Sequence, residues 1–175
     1  DKSILAVNKD SLERVLVKNP MIKSAQVYYS LDGYIHVNIQ QREPVLRVLT
    51  GEGYYVDRDG RVMPLSSKFT SRVVVATGDI NKKFACEKLG PFAMKLKNEP
   101  FWDAYIEQLV VRSNEDVVMI PKVGDFRIVL GKVDDCDARL EKLILFLKDG
   151  ITKKGWNRYK EINLKFDNQV VCVRK

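Results

Sequence analysis

The side chains best placed by type and spacing to do chemistry are Asp57 and Asp59 in the stretch YYVDRDGRVMP, with Arg58 and Arg61 beside them and Gly60 behind. Such a pair has three possible uses: a calcium loop, a catalytic acid pair, or a turn. A calcium loop of the EF-hand kind needs acids at its first, third and fifth positions, glycine at the sixth and a bidentate glutamate at the twelfth. Counting from Asp57, glycine comes at the fourth position and Lys68 stands at the twelfth, so that use fails. A catalytic pair needs one carboxyl kept protonated by burial, whereas the flanking arginines favour both carboxylates ionised. The turn reading fits the neighbours GYYV and RVMPL, since Asp59-Gly60 supplies the positive φ that a tight hairpin requires.

The remaining reactive side chains narrow the chemistry further. His36 is the single histidine, which removes most metal sites and Ser/His or Cys/His schemes. Cys86, Cys136 and Cys172 lie far apart with no C-x-x-C spacing, so neither a zinc site nor a redox pair is expected. Phosphate-loop, dinucleotide, nucleophile-elbow and H-E-x-x-H motifs are all missing. The sequence therefore predicts no catalytic, cofactor-binding or metal-ligating residue, no cofactor and no small-molecule substrate. A hydrolase using Asp57 and Asp59 is the enzyme alternative.

These residues sit on a recognisable series of elements. Asp10 followed by Glu13 reads as a capping box, and Leu12, Val15 and Leu16 as a short helical face ended by Asn19-Pro20. Ala25, Val27 and Tyr29, then Ile35, Val37 and Ile39 across an SLDG turn, alternate as two half-buried antiparallel strands, with His36 on the solvent side. Pro44 cannot donate to a ladder, so a strand ends or lies at an edge there, and a domain boundary is placed at it. Beyond it come strands at 45–49 and 54–56, the Asp59-Gly60 hairpin, and the apolar run VVVATG. A helical stretch over 81–96 follows, broken at Gly90-Pro91, and PFWDAY adds a turn with Phe101, Trp102 and Tyr105 in the core. Strands at 106–111, 117–120 and 126–130 form an antiparallel meander. The clearest helix has Leu140, Leu143, Ile144, Leu147 and Ile151 on one face, Asp134 or Asp135 as cap, and Gly150 or Gly155 at its end. The chain closes on a hairpin in which Ile162, Leu164 and Phe166 alternate, Asp167-Asn168 turn, and Val170 to Val173 form a last strand; one of the two strands of this hairpin is a candidate sheet edge.

The fold class is thus α+β: a partial α-β-β unit over 1–44, followed over 45–175 by a mostly antiparallel β domain with packed helices. Thirty Lys and Arg against twenty-three Asp and Glu give +7 and a pI near 9.3. The basic residues alternate with acids, and no aromatic-interleaved groove or reading helix accompanies them, so no nucleic-acid partner is expected. A filter-binding assay without salt-dependent affinity would dispose of DNA as a ligand. No run of about 18 apolar residues is present.

Several of these stretches form one pattern. NPMIKSAQVYYSLDGYIHVNIQQREPVLRV followed by GYYVDRDGRVMPL resembles the extracytoplasmic part of the bacterial cell-division proteins FtsQ and DivIB, in which a small POTRA domain precedes a β domain. VVVATGD, FRIVLGKVDDCDARLEKL and INLKFDNQVVCVRK resemble later family motifs in the same order. The chain departs from the pattern at Gln41, where glutamate is usual, at Gln169, near the usual glycine, and in lacking the first strand and helix of a full POTRA domain. The resemblance implies a noncatalytic scaffold with FtsB and FtsL as partners, anchored in the cell inner membrane by one span upstream of Asp1 and exposed to the periplasm. It further implies that FtsB adds a strand to the last strand of the β domain. By position, that site comprises Lys165, Phe166, Asn168, Gln169, Val170, Val171 and Val173, with Lys165 facing an acid on the partner and Phe166 or a valine as anchor. Trp156 and Tyr159 pack the base of the hairpin or serve as further anchors. Another envelope system that uses POTRA units to bind client peptides is the alternative.

Overall fold

In the computed structural model, which describes residues 8–66, 70–148 and 158–175, the first helix, α1 (Lys9–Val17), is capped by Asn8 rather than Asp10. The Asn8 side chain accepts the Ser11 amide at 3.1 Å, which leaves Glu13 too far along the helix to close a capping box. Its carboxylate instead accepts the Val27 amide at 2.7 Å and ties α1 to β1 (Ile22–Tyr29). Strand β1 pairs antiparallel with β2 (Ile35–Gln41), setting Ala25 against Ile39 and Val27 against Val37. On the other face the Tyr28 and His36 rings stack at 5.0 Å and Ser24 bonds Gln40. The expected half-burial holds for β1 only. Ile35, Val37 and Ile39 stay exposed, and α1 buries none of its own residues.

The chain forms two compact units, Asp1–Glu43 and Pro44–Lys175. In the second, Pro44 opens β3 (Pro44–Val48), a position where a missing N–H costs the ladder nothing. Strands β4 (Tyr54–Asp57) and β5 (Val62–Pro64) make the expected hairpin. Gly60 alone takes a positive φ, +73°, and its amide donates to Asp57 O at 3.0 Å, so the turn is a three-residue loop with a glycine bulge. The Asp57 side chain is buried and accepts the amides of Asp59 (2.9 Å) and Arg61 (2.7 Å). It builds the turn.

After β6 (Val74–Gly78) the chain stays helical through Gly90-Pro91, where a break was expected. α2 (Lys82–Phe84) runs into a π-helical turn (Ala85–Leu89) and then α3 (Gly90–Asn98). In an α-helix the Pro91 ring would clash with the carbonyl four residues back, and the wider π turn relieves this, the Gly90 amide donating to Ala85 O. α4 (Pro100–Tyr105) buries Trp102 and Tyr105; Phe101, expected in the core, is half exposed and stacks on Tyr105 at 5.3 Å.

Strands β7 (Ile106–Arg112), β8 (Asp116–Pro121) and β9 (Arg127–Gly131) form the expected antiparallel meander. α5 (Asp137–Phe146) follows, then β10 (Tyr159–Asn163) and β11 (Val171–Arg174). Neither Asp134 nor Asp135 caps α5. Cys136 holds the N-cap position without a side-chain bond, Asp135 adopts φ +47°, and the Asp134 carboxylate pairs with Lys88. Asp137 in the first turn supplies the negative charge favoured there and pairs with Lys95, lacing α5 to α3. Gly150, Ile151, Gly155 and Trp156 lie outside the described residues.

Among the described residues these strands make one nine-stranded sheet of order β11-β10-β9-β8-β7-β6-β3-β4-β5. Five of its eight contacts are antiparallel, and the parallel ones are β3–β6, β6–β7 and β9–β10. A parallel pair needs a crossover. α2 to α4 lie between β6 and β7, and α5 between β9 and β10, so both helical segments are crossovers. The core lies beneath them, where Leu46, Leu109, Ile128 and Ile162 from the sheet meet Trp102 and Leu143 from the helices.

Candidate functional site

Strand β11 ends the sheet. It pairs antiparallel with β10 on one side, with Asn163 opposite Val171, Ile162 opposite Cys172 and Glu161 opposite Val173, and among the described residues it has no strand on the other. Two bonds fix which backbone groups are free. The Leu164 amide donates to Val129 O at 2.9 Å, so beyond the bulge between Tyr159 and Glu161 the even residues of β10 face β9 and the odd ones face β11. The Lys175 amide donates to Arg158 O at 3.1 Å, which turns the odd residues of β11 inward. By the two-residue period of a strand, the N–H and C=O of Cys172 and Arg174 point away from the sheet. A strand laid there gains up to four backbone bonds.

The side chains divide by the same period. Ile162 is fully buried and Cys172 packs partly buried against the core beside it, whereas Val171 and Val173 are 38% and 39% exposed on the opposite face. Burial pushes the Cys172 thiol above its ordinary pKa, so it stays protonated at neutral pH and behaves as a small apolar side chain. Phe166, in the strap between β10 and β11, is 46% exposed. Asn168 takes φ +58° at the turn, Gln169 is exposed, and Val170 packs partly buried on the core. Of the seven residues singled out from sequence, Phe166, Val171 and Val173 are therefore apolar and accessible, and Val170 is partly buried against the core. Tyr159 opens β10 and meets Phe146 of α5 at 6.1 Å.

Lys165 already has an acidic partner within the chain. Its ammonium pairs with Asp116 at 3.1 Å, its stem lies against Gly131, and its amide donates to Asn163 Oδ1, so its charge is answered within the chain. The acid comes from β8, 49 residues away, a contact no local pattern announces. Lys142 of α5 was likewise invisible in the sequence: its ammonium donates to Leu164 O at 3.2 Å and Phe166 O at 2.5 Å.

The opposite edge is built differently. β5 is three residues long and ends on Pro64, which has no N–H. Short length and proline are the usual devices that keep an edge from pairing. Elsewhere, among the described residues, no group of three or more His, Cys, Asp or Glu is placed to hold a metal.

Fold and edge together define a two-unit α+β protein whose larger unit carries, among the described residues, one guarded and one open sheet edge. Residues 1–40 match the family model of the POTRA-like domain, and residues 43–173 match that of FtsQ/DivIB, C-terminal related. The chain belongs to the FtsQ/DivIB C-terminal related family, a family of noncatalytic, division-associated scaffolds that act through protein–protein interactions within the division machinery. No curated protein matches it.

Proposed function

We propose that the chain is the periplasmic part of a single-span inner-membrane scaffold, and that it recruits FtsB and FtsL to the division machinery by accepting a partner strand on β11. The observation that carries this reading is the open edge itself. Outward backbone groups at Cys172 and Arg174 are flanked by the accessible apolar side chains of Val171, Val173 and Phe166. Main-chain pairing supplies affinity in such an arrangement, and alternate side chains supply selectivity. The face suits an extended segment with apolar residues at every second position. Arg158, Lys160 and Arg174 are exposed near it and favour acidic flanks on that segment.

The test is a pull-down with purified extracytoplasmic segments of FtsB and FtsL, comparing the wild type with Phe166→Ala and Val171→Glu. Weakened capture by both variants, with unchanged circular dichroism, is the expected result. Undiminished capture by both would remove β11 as the site. Among the described residues no helix is long and apolar enough to cross a membrane. The anchor is tested separately, by reading upstream codons for an apolar stretch of about 20 residues.

A further inference from the structure

We infer that Lys142 is a positioning residue for the open edge, a clamp that fixes the strap carrying the chain from β10 to β11; this rests on reading β11 as a strand acceptor. The strap begins where the ladder stops. β10 ends at Asn163, the Leu164 amide makes a last bond to Val129, and the next strand starts only at Val171. Carbonyls just past the end of a ladder have no strand partner. Those of Leu164 and Phe166, two residues apart, both accept from the Lys142 ammonium, at 3.2 and 2.5 Å. A lysine brings several donors on one charged centre, so one side chain serves both.

The anchor of this clamp is firm. Lys142 follows Leu140 and precedes Leu143 on α5, and both leucines are buried in the core. Among the described residues, two other bonds also hold the strap, Lys165 to Asp116 and the Lys165 amide to Asn163 Oδ1, but both act at its first residue after Leu164. Lys142 reaches one residue further, to the carbonyl of the exposed Phe166, and ties it to a helix. The strap sets the point at which β11 enters the sheet. Releasing it multiplies the conformations of 166–170 and lowers the fraction of molecules with a straight, pairing-competent edge. Apparent affinity falls in proportion to that fraction. Global stability is affected less, because Ile162 and Leu164 remain fully buried on the sheet side.

The test uses Lys142→Met, which keeps the aliphatic stem and removes the donors, and Lys142→Arg, which restores a forked donor. The fluorescently labelled FtsB segment is titrated against each at a temperature well below unfolding. The clamp predicts about tenfold weaker binding for Lys142→Met, the scale of a lost charge-assisted hydrogen bond, and recovery in Lys142→Arg. In the free proteins, amide exchange of 166–171 accelerates in Lys142→Met while β7, β8 and β9 exchange as before. Equal affinity of wild type and Lys142→Met overturns the clamp, as does exchange that is unchanged in the strap or accelerated across the whole sheet. If the wild type itself fails to bind, strand acceptance falls, and the exchange comparison decides the clamp alone.

Discussion

Asp57 carries its weight at the level of single atoms. One carboxylate oxygen accepts two amides of its own turn, and the residue is 2% exposed. Asp57→Ala leaves those amides without that acceptor and is expected to cost about 2 kcal/mol, read as a lower denaturation midpoint with unchanged slope. The turn was legible in D-x-D-G, but the burial was not. It arises because the π turn, distant in sequence, comes within 3.2 Å of where a Gly60 Cβ would sit. Tyr105 gives a pH test. Its hydroxyl is buried without a hydrogen-bond partner among the described residues, and burial raises its pKa from 10.0 to about 12. Below pH 10 folded and unfolded chains both keep the proton, whereas between 10 and about 12 only the unfolded chain loses it, so stability falls across that window. Tyr105→Phe should remove that part of the loss, about 2 kcal/mol by pH 12, in urea titrations at pH 9 and pH 12. A difference between the two proteins that does not change with pH would contradict it.

At the level of elements, periodicity revealed what is local and missed what is made by contact. The meander, the terminal hairpin and the buried stripe of α5 follow from alternation and helical spacing, because each side chain's partner lies on its own or the next element. The continuous passage through Pro91 was hidden, since it depends on a π turn seated on β4, where a Cβ on Gly90 would lie 3.1 Å from Val56 Cγ1. The parallel contact of β9 with β10 was hidden as well, since α5 intervenes between them. Two substitutions probe these joints. A side chain on Gly78, at φ +105°, would put Cβ 2.0 Å from Val111 O, so Gly78→Ala should destabilise by about 3 kcal/mol or more. Leu143→Ala, at the fully buried contact of α5, should cost ~2–5 kcal/mol. Both are read by thermal unfolding of the 44–175 unit.

For the whole molecule, the α+β class was readable because the two periods are cleanly separated along the chain. The terminal hairpin was readable as a candidate edge, but the full strand order and the short, proline-ended edge at β5 were not, since strand order is set by packing of remote segments. The two units also differ in how much they bury. Unit 1 has Ile22, Ala25 and Val27 as its buried apolar residues among those described, while unit 2 holds the connected core. Amide exchange should therefore be fast throughout β1 and β2 and slowest in β7, β8 and β9. The central claim is that β11 accepts a strand, and its most direct test is residue-resolved amide exchange with and without the FtsB segment. New protection is expected at the outward amides of Cys172 and Arg174, with little change at Val171 and Val173, whose amides already bond to β10. Binding that leaves Cys172 and Arg174 unprotected, while protecting amides elsewhere, would contradict it.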